Sequence, residues 1–348
     1  MKNKFLLSGI ILWSLVFLVL AGFLTVFLAG DADMSFPNMP WSSSNAILLR
    51  DDVFPLNDLV NLKVQGRAED IIVRLSSDDT IRVRQYGDER RSVVFEDRRT
   101  DADGGTALTL SVPGKKGFTL FNWGSGHRLE IDLPSQYAHD LDLVSVSGEI
   151  DLPEGFEGRA LTLSSTSGGL VLGMSVVESA TLSTTSGDIR TKGIQAENAT
   201  LKSVSGCISA GTLTIENQVD LNASSGDIHV NTLLCQMFDI KTISGQIGII
   251  TSLSGGGVLR STSGDILASG VEVNRAVSVD TVSGDVILSL VSGQNCDLKL
   301  SSISGDFHGD VPLSYANSHK SEATGTLGSG GHLVTVSTTS GEVFVNIE

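Results

Sequence analysis

The chain is poor in several residue types, and the shortages of cysteine and of basic residues each exclude a class of function. Of its 348 residues only 3 are cysteine, 7 are proline and 5% are aromatic. No two cysteines stand two to four residues apart, which excludes the usual zinc-binding motifs. Basic residues are also scarce, with 24 Lys+Arg against 40 Asp+Glu and a net charge of -16. A chain this acidic is not expected to bind nucleic acid.

One long hydrophobic run stands apart from the rest of the chain. Residues 5–28 contain 24 residues without a charge, and two lysines precede them. As an α-helix this run would extend about 36 Å, enough to cross a hydrocarbon core of about 30 Å. It predicts one transmembrane helix within residues 1–30, with everything after it outside the cytoplasm by the positive-inside rule. A signal peptide that is cleaved to release a secreted protein is the alternative.

The second feature that is present is a repeated Ser-Gly-acidic motif in residues 136–348. The aligned glycines stand 19 to 21 residues apart, followed by one gap of 36. They are Gly148, Gly168, Gly187, Gly206, Gly226, Gly245, Gly264, Gly284, Gly305 and Gly341. A period near twenty is typical of a solenoid in which each copy forms one coil. The gap predicts an insertion at about 310–332, a surface loop, followed by one last coil.

Equivalent positions of the copies share their chemical character. Five residues before the glycine the residue is always aliphatic, two after it always apolar, and three before it always small, mostly with a hydroxyl. The pattern predicts an all-β fold, a parallel β-solenoid of about 19–20-residue coils. Each coil would turn at the glycine, whose backbone freedom permits angles that other residues resist. A stack of antiparallel hairpins turned at Ser-Gly-Asp is the alternative.

The segments before the repeat complete a four-part organisation. Residues 31–44 have the composition of a linker, and residues 45–135 alternate apolar and polar residues between Gly, Asp and Pro breaks. This alternation predicts irregular opening β-coils that cap the solenoid. The chain is therefore divided into an anchor (1–30), a linker (31–44), opening coils (45–135) and the repeat solenoid (136–348).

The strand RLEIDLP, followed by LDLVSVSGEIDL and by serial coils such as TLSTTSGDI, resembles a known bacterial family over residues 45–348. This is the toastrack family of β-strand repeats, also called "putative adhesin" repeats. The resemblance implies a right-handed β-helix-like domain in membrane-attached or secreted proteins, often linked to envelope-stress sensing in Gram-positive bacteria. It implies no catalytic residue, and the chain is expected to need no cofactor and no metal ligand.

Acidic residues directly after the repeat glycines are the first candidate site. Asp265, Asp285 and Asp306 come from successive copies, about 4.8 Å apart in a stack, where like charges repel unless water or a cation separates them. Asp beside Gly is common at turns, so the pattern favours turn residues over a weak Ca²⁺-type ladder. The Asp-x-Asp of TDADGG (100–105) lacks the remaining EF-hand ligands and is predicted to be a polar turn.

A basic run in the opening coils is the second candidate. Its members are Arg82, Arg84, Arg90, Arg91, Arg98, Arg99, Lys115, Lys116 and Arg128. The run favours a solvated strand face, and contact with anionic lipids or wall polymers is the functional alternative.

The sequence indicates no catalytic set. It contains no Gly-x-Ser-x-Gly elbow and no Ser-x-x-Lys, and its six histidines are spread along the chain from residue 127 to residue 332. We therefore expect a non-catalytic binding or scaffolding module at the bacterial envelope, adhesin-like or stress-linked. Its expected partners are the membrane, through the N-terminal helix, and envelope polymers, anionic lipids or another envelope protein. The alternative is a carbohydrate-active β-helix enzyme, a lyase or hydrolase whose acids flank a glycan.

Overall fold

All regular elements of the described residues are β-strands. The computed structural model describes residues 46–88, 94–102, 104–113, 127–316 and 321–348. The predicted transmembrane helix and linker fall outside these residues. Within them there is no helix with the length and hydropathy needed to cross a membrane.

The strands are numbered β1 to β23 in chain order. The first part contributes β1 (Ile47–Pro55), β2 (Leu59–Gln65), β3 (Asp70–Ser76), β4 (Thr80–Gly87), β5 (Glu96–Ala102), β6 (Gly105–Ser111) and β7 (Arg128–Pro134). The repeat continues with β8 (Asp140–Ser145), β9 (Ile150–Leu152), β10 (Phe156–Ser165), β11 (Leu170–Thr184), β12 (Ile189–Ser203), β13 (Ile208–Ala223), β14 (Ile228–Ser244), β15 (Ile247–Ser263) and β16 (Ile266–Ser283). The C-terminal part adds β17 (Val286–Leu290), β18 (Cys296–Ser304), β19 (Phe307–Gly309), β20 (Leu313–Tyr315), β21 (Glu322–Leu327), β22 (His332–Ser340) and β23 (Val343–Ile347).

Successive coils of the repeat pair in parallel, equivalent residue beside equivalent residue. In β11 and β12, Leu182 lies beside Leu201 and Leu170 beside Ile189. The same parallel pairing runs from β10 through β16. The predicted all-β, parallel-stacked fold is confirmed, and the antiparallel hairpin alternative is wrong for these coils. The right-handed sense stays a prediction.

A third stretch of strand in each coil makes this parallel stacking possible. Between the stretch after one glycine and the stretch before the next, residues such as Phe156 in β10 and Ser175 in β11 also pair in register. The register continues through Ile194 of β12 and Leu213 of β13. This third stretch carries the chain back to the side on which the coil began, so the next coil runs parallel to the one before. Antiparallel strands joined by a hairpin need no such return.

Two predicted inward columns form the core. The aliphatic column five residues before the glycine is fully buried: Leu143, Leu163, Leu182, Leu201, Leu221, Ile240, Leu259, Val279, Leu300 and Val336. The column two residues after it is at most 7% exposed: Ile150, Leu170, Ile189, Ile208, Ile228, Ile247, Ile266, Val286, Phe307 and Val343. Burying one such side chain contributes about 1.5–3 kcal/mol. Because the members inside the stack are covered by both neighbouring coils, the coils stabilise one another.

The small residues three before the glycine form a buried hydroxyl column. Ser203 accepts the Gly206 N–H at 2.8 Å and donates to the Gly187 carbonyl of the preceding coil at 3.2 Å. Thr184 makes the same two bonds, with the Gly187 N–H at 3.0 Å and the Gly168 carbonyl at 3.2 Å. The hydroxyls therefore satisfy backbone groups that the turn leaves inside the core.

The repeat glycines are needed because neighbouring coils approach one another closely. A Cβ on Gly187 would overlap the carbonyl of Gly168, and one on Gly206 would overlap the carbonyl of Gly187. From Gly148 to Gly245, none of the repeat glycines has a positive φ. For these six glycines the expectation of an unusual backbone angle is wrong, whereas the four later repeat glycines do have a positive φ of 154° to 159°: Gly264, Gly284, Gly305 and Gly341. Larger residues are excluded there by the lack of space between coils.

The last coil of the sequence is not the last coil of the stack. β22 pairs in parallel with β16 on one side and β18 on the other, and β23 likewise lies between β17 and β19. The turn at Gly341 is therefore stacked between the turns at Gly284 and Gly305. The expected order, with this coil following the Gly305 coil, is wrong because the repeat pattern defines a coil but not its neighbours.

The segment predicted as a surface loop contains two strands that bring the chain back across β18. β20 pairs with β21, and β21 runs antiparallel along the outer edge of β18, with Leu327 opposite Cys296. After a turn, His332 lies beside Cys296 on the other edge of β18. The Asn295 side-chain oxygen holds this turn by accepting the Ser329 N–H at 2.8 Å. β18 is therefore paired on both edges.

The described part of residues 45–135 forms the opposite end of the stack. β2 and β3 pair in parallel with β8 and β9 of the first repeat coil. β6 lies parallel beside β2 and β7 beside β3, and antiparallel strands follow outside them: β5 beside β6, β4 beside β7, and β1 beside β4. β5, with the sequence EDRRTDA, is an edge strand whose charges disfavour the addition of another strand.

Candidate binding surfaces

Four of the acidic residues after the repeat glycines bond to the backbone of the neighbouring coil. Asp188 accepts the Cys207 N–H at 2.9 Å, and Asp227 accepts the Gln246 N–H at 2.9 Å. Asp265 makes the same bond to the next coil, also at 2.9 Å. The local turn hydrogen bonds expected from the sequence are therefore replaced by bonds between coils, because stacking brings the next amide within reach of the carboxylate.

Four of these acids stand in adjacent coils and are called here the acidic row. They are, in stacking order, Asp265, Asp285, Glu342 and Asp306. The inserted coil thus places Glu342 between the Asp285 and Asp306 that the sequence predicted to be neighbours. Carboxylates about 4.8 Å apart repel by about 0.9 kcal/mol even in water. Within the described ranges no group of three or more His, Cys, Asp or Glu is placed to hold a metal ion.

A row of apolar side chains lies beside the acidic row on the same outer face. Leu267, Ile287 and Phe344, called here the apolar row, stand three residues after their glycines and pair with one another in register. Leu267 is 38% and Ile287 37% exposed, and Phe344 is partly exposed. His308 of the next coil stacks on Phe344 with ring centroids 4.9 Å apart, and its Nε2 lies 3.5 Å from Glu342.

An acidic groove lies at another corner of the coils. It is an open depression of about 430 Å³, within the size range of small-ligand sites. Four glutamates from four coils line it: Glu157, Glu178, Glu197 and Glu216. Arg159 also lines it, but its guanidinium is bonded to Asp140 at 2.6 and 2.7 Å. The groove is therefore negatively charged and open to solvent.

The described members of the predicted basic run that lie on β4 are paired with acids. Arg82 bonds Asp51 at 2.8 Å through Nε, and Arg84 bonds Asp132 at 2.6 Å. The side chains on β5 are exposed, and they include Arg98 and Arg99. Arg128 lies on β7, and the other four members lie outside the described residues: Arg90, Arg91, Lys115 and Lys116. The pairing on β4 reduces the positive charge that this face presents to an anionic partner.

Glu130 on β7 is enclosed by three arginines. Its side chain is 8% exposed and lies 2.8 Å from Arg128, 3.2 Å from Arg74 and 3.7 Å from Arg84. Burial alone would raise the pKa of this carboxyl, but the Arg128 hydrogen bond and the three positive charges outweigh it and lower the pKa. Arg128 also stacks on the ring of Tyr86 at 4.1 Å. This cluster stabilises the N-terminal end of the stack.

The three cysteines are free thiols. Burial raises the pKa of Cys235 to about 12, and burial with the charge of Asp297 also raises the pKa of Cys296. Protonated thiols are poor nucleophiles and poor metal ligands. β14 and β18, which carry Cys235 and Cys296, are four strand spacings apart, about 19 Å, well beyond the reach of a disulfide. Sequence order alone predicts three spacings, and the inserted coil adds the fourth.

The repeated coil is the feature that a family comparison can test. A model of the Toastrack DUF4097 family matches residues 60–249 and, in a second match, residues 217–346. The chain belongs to the Toastrack family. The family predicted from the repeated Ser-Gly-Asp coils is therefore confirmed. The matched residues include most of the stack and both rows of this Toastrack domain.

Two solved structures are similar to this Toastrack chain. One is the crystal structure of a "putative cell adhesion protein" from Clostridium sporogenes ATCC 15579, with 11% identity, 86% of this chain and 99% of that chain covered, and a TM-score of 0.22. The other is a "putative adhesin" from Parabacteroides distasonis ATCC 8503, with 13% identity, 87% and 98% covered, and a TM-score of 0.38. No curated protein matches the chain.

The apolar row was not predicted, although the sequence contains a signal for it. The column three residues after the glycine includes Asp151, Val171, Arg190 and His229 in earlier coils, and is apolar in consecutive coils only near the C-terminal end. Coil architecture requires uniform inward columns, but it does not require an outward column to change its character. Such a change along the repeat therefore marks a surface difference rather than a packing requirement.

Proposed function

We propose that this Toastrack protein is a non-catalytic binding module that presents a rigid, repetitive surface. The observation that carries the proposal is the use of the repeat's own polar groups. The hydroxyl of Ser203 and the carboxylate of Asp188 are hydrogen bonded to the backbone of adjacent coils, and Thr184 and Asp227 make the equivalent bonds in other coils. Catalysis needs unlike residues that converge once, whereas these groups build the stack. Specificity would then depend on the outward side chains, which differ from coil to coil.

The proposed location is the bacterial envelope, with the Toastrack domain outside the cytoplasm. Support comes from the apolar run of residues 5–28 and its preceding lysines. At that location, envelope polymers, anionic lipids and other envelope proteins are the available partners for an adhesin-like or stress-linked role. We expect the full-length protein to stay in carbonate-washed membranes and to be digested from outside in protoplasts. A mature N-terminus near residue 33 would instead support secretion after cleavage.

A carbohydrate-active enzyme is the second candidate function, and the acidic groove is the observation that favours it. Glu178 and Glu197 line the same depression from adjacent coils. Glycosidases use two carboxylates that flank the scissile bond, one as acid and the other as base or nucleophile. A groove that only binds does not need a carboxylate as a proton donor, so cleavage distinguishes the two functions.

The deciding experiment incubates the full-length protein with purified envelope glycans and wall polymers, and measures retention and cleavage separately. The binding proposal expects retention without new chain ends. The enzyme would cleave, and Glu178→Gln or Glu197→Gln would lower its rate at least about a hundredfold while retention and folding persist. That result would replace the binding proposal. Absence of both retention and cleavage would contradict polymer binding and leave proteins and lipids as the partners to test.

A further inference from the structure

The apolar row is an ordered surface feature rather than a set of scattered exposed residues. Single exposed apolar residues are normal on any protein. Leu267, Ile287 and Phe344, however, occupy the same position in three consecutive coils and pair directly in register. In the coil of Gly168 the equivalent residue is Val171, and its neighbour is the charged Arg190. The solenoid is therefore apolar on this face only near its C-terminal end.

The acidic row gives this surface a strong charge of one sign. Its four carboxylates stand two residues before the apolar row and before His308, about 7 Å away along each strand. The surrounding residues 261–348 hold ten acidic and three basic residues, a difference of -7. Asp265 and Asp285 each use one oxygen to accept an amide of the next coil. The second oxygen of Asp265 accepts the neutral side-chain amide of Gln246 at 3.3 Å. Both carboxylates therefore keep their charge on the outer face, where they contribute to a negative potential.

The combination of the two rows determines which partner can cover them. A second copy that placed this face against itself would bring four acids against four acids, and an anionic bilayer would be repelled in the same way. We propose that the acidic and apolar rows together dock a cationic amphipathic segment of a partner protein. Its apolar side chains would cover Leu267, Ile287 and Phe344, and its lysines or arginines would face the acids.

The spacing of the rows fits such a segment. Leu267 to Phe344 spans two coil spacings, about 9.6 Å. Seven residues of α-helix rise about 10.5 Å, so apolar residues at i, i+4 and i+7 of a helix lie over successive members of the apolar row. Basic residues on the flank of the same helix then lie along the acidic row. The partner is thus recognised by a charge and apolar pattern over about two helical turns.

The inference rests on the proposed binding function and names the partner class for one face. Its test uses the purified full-length protein and a fluorescent 14-residue leucine-lysine peptide with leucines at helical spacing. A peptide with glutamate in place of every lysine is the ligand control. We expect the lysine peptide to bind, and the glutamate peptide to bind at least tenfold more weakly. The affinity should fall as salt rises, because the acidic row is exposed.

A double variant of the apolar row, with a matched control, tests whether the peptide binds at this face. Leu267→Thr with Ile287→Thr should weaken the lysine peptide at least tenfold, and β-branched threonine suits exposed strand positions. The control double variant carries Val171→Thr and Val176→Thr, which are outward positions in another coil. It should change the affinity less than twofold. Unchanged thermal unfolding of both variants excludes a folding defect.

A second double variant, also with a matched control, tests the contribution of the acidic row. Asp285→Asn with Glu342→Gln removes two negative charges from the acidic row, and the Asn oxygen can still accept the Glu342 amide. It should weaken the peptide about fivefold at low salt and little at high salt. Glu178→Gln with Glu197→Gln makes the same charge change at the acidic groove and should have less than a twofold effect. The proposal would be overturned if the acidic-row and groove variants lost the same amount of affinity, or if the lysine and glutamate peptides bound equally well. Retention of wall polymers without peptide binding would overturn it while leaving the proposed function intact.

Discussion

The buried hydroxyl column makes a quantitative prediction about stability. Ser203 is 4% exposed and links two backbone groups of different coils, the Gly206 N–H and the Gly187 carbonyl. Ser203→Ala removes both bonds and leaves a buried donor and a buried acceptor without this partner. One lost bond costs about 0.5–1.5 kcal/mol, and an unsatisfied buried group about 1–3 kcal/mol. We expect Ser203→Ala to lower the free energy of unfolding by about 2 kcal/mol.

The hydroxyl column also allows the opposite substitution, in which a hydroxyl is added. Ala223 is the one member without a hydroxyl, and it is 6% exposed. Its glycine, Gly226, follows three residues later, as Gly206 follows Ser203. Ala223→Ser should therefore supply the missing link and raise the free energy of unfolding by about 1 kcal/mol.

Urea unfolding of both variants measures these changes as shifts of the midpoint at constant m-value. Hydrogen exchange at the Gly206 amide locates the first change, because this amide should lose protection in Ser203→Ala. Ser205→Ala is the matched control, since Ser205 is exposed in the same turn; it should change stability by less than about 0.5 kcal/mol. The reasoning is refuted if Ser203→Ala and Ser205→Ala are alike, or if Ala223→Ser destabilises the protein.

The other predictions concern the core, the acids between coils and the N-terminal cluster. Ile228→Asp places a charge at a fully buried position and should lower the free energy of unfolding by several kcal/mol. Ile243→Asp, at a position that is 57% exposed, should lower it by less than about 1 kcal/mol. Similar unfolding midpoints for the two variants would contradict the assignment of inward and outward faces. Asp227→Asn should leave the free energy of unfolding nearly unchanged, because the amide oxygen can still accept the Gln246 N–H. Asp227→Ala should lower it by about 1 kcal/mol. Equal losses in the two variants would show that the hydrogen bond between coils does not contribute to stability. Because the pKa of Glu130 is lowered on folding, its contribution is present above the unfolded pKa of about 4.3 and is lost as pH falls through the lower folded pKa. Glu130→Gln should therefore destabilise more at pH 7 than at pH 3 in chemical unfolding, and an equal effect at both pH values would contradict an ionic role.

The inward columns could be predicted from the sequence because stacking gives equivalent residues the same surroundings. Leu182 and Leu201 face the same core and lie side by side, so each position tolerates only similar side chains. The partners of the polar residues could not be predicted in this way. Ser203 bonds a carbonyl 16 residues earlier and Asp188 an amide 19 residues later. A local motif does not show whether its hydrogen bonds stay within the turn or join two coils.

The position of the last coil could not be predicted for a different reason. Leu300 and Val336 stand at the same column and are both fully buried, so exchanging the order of their coils leaves the inward pattern unchanged. The order depends instead on β21, which returns along the outer edge of β18 and directs the chain over Asn295 to the inner edge. This detour affects the proposed docking surface directly. Glu342 of the acidic row and Phe344 of the apolar row both belong to the inserted coil, so the fourth acid and the third apolar side chain are present only when the last residues of the chain are stacked between two earlier coils.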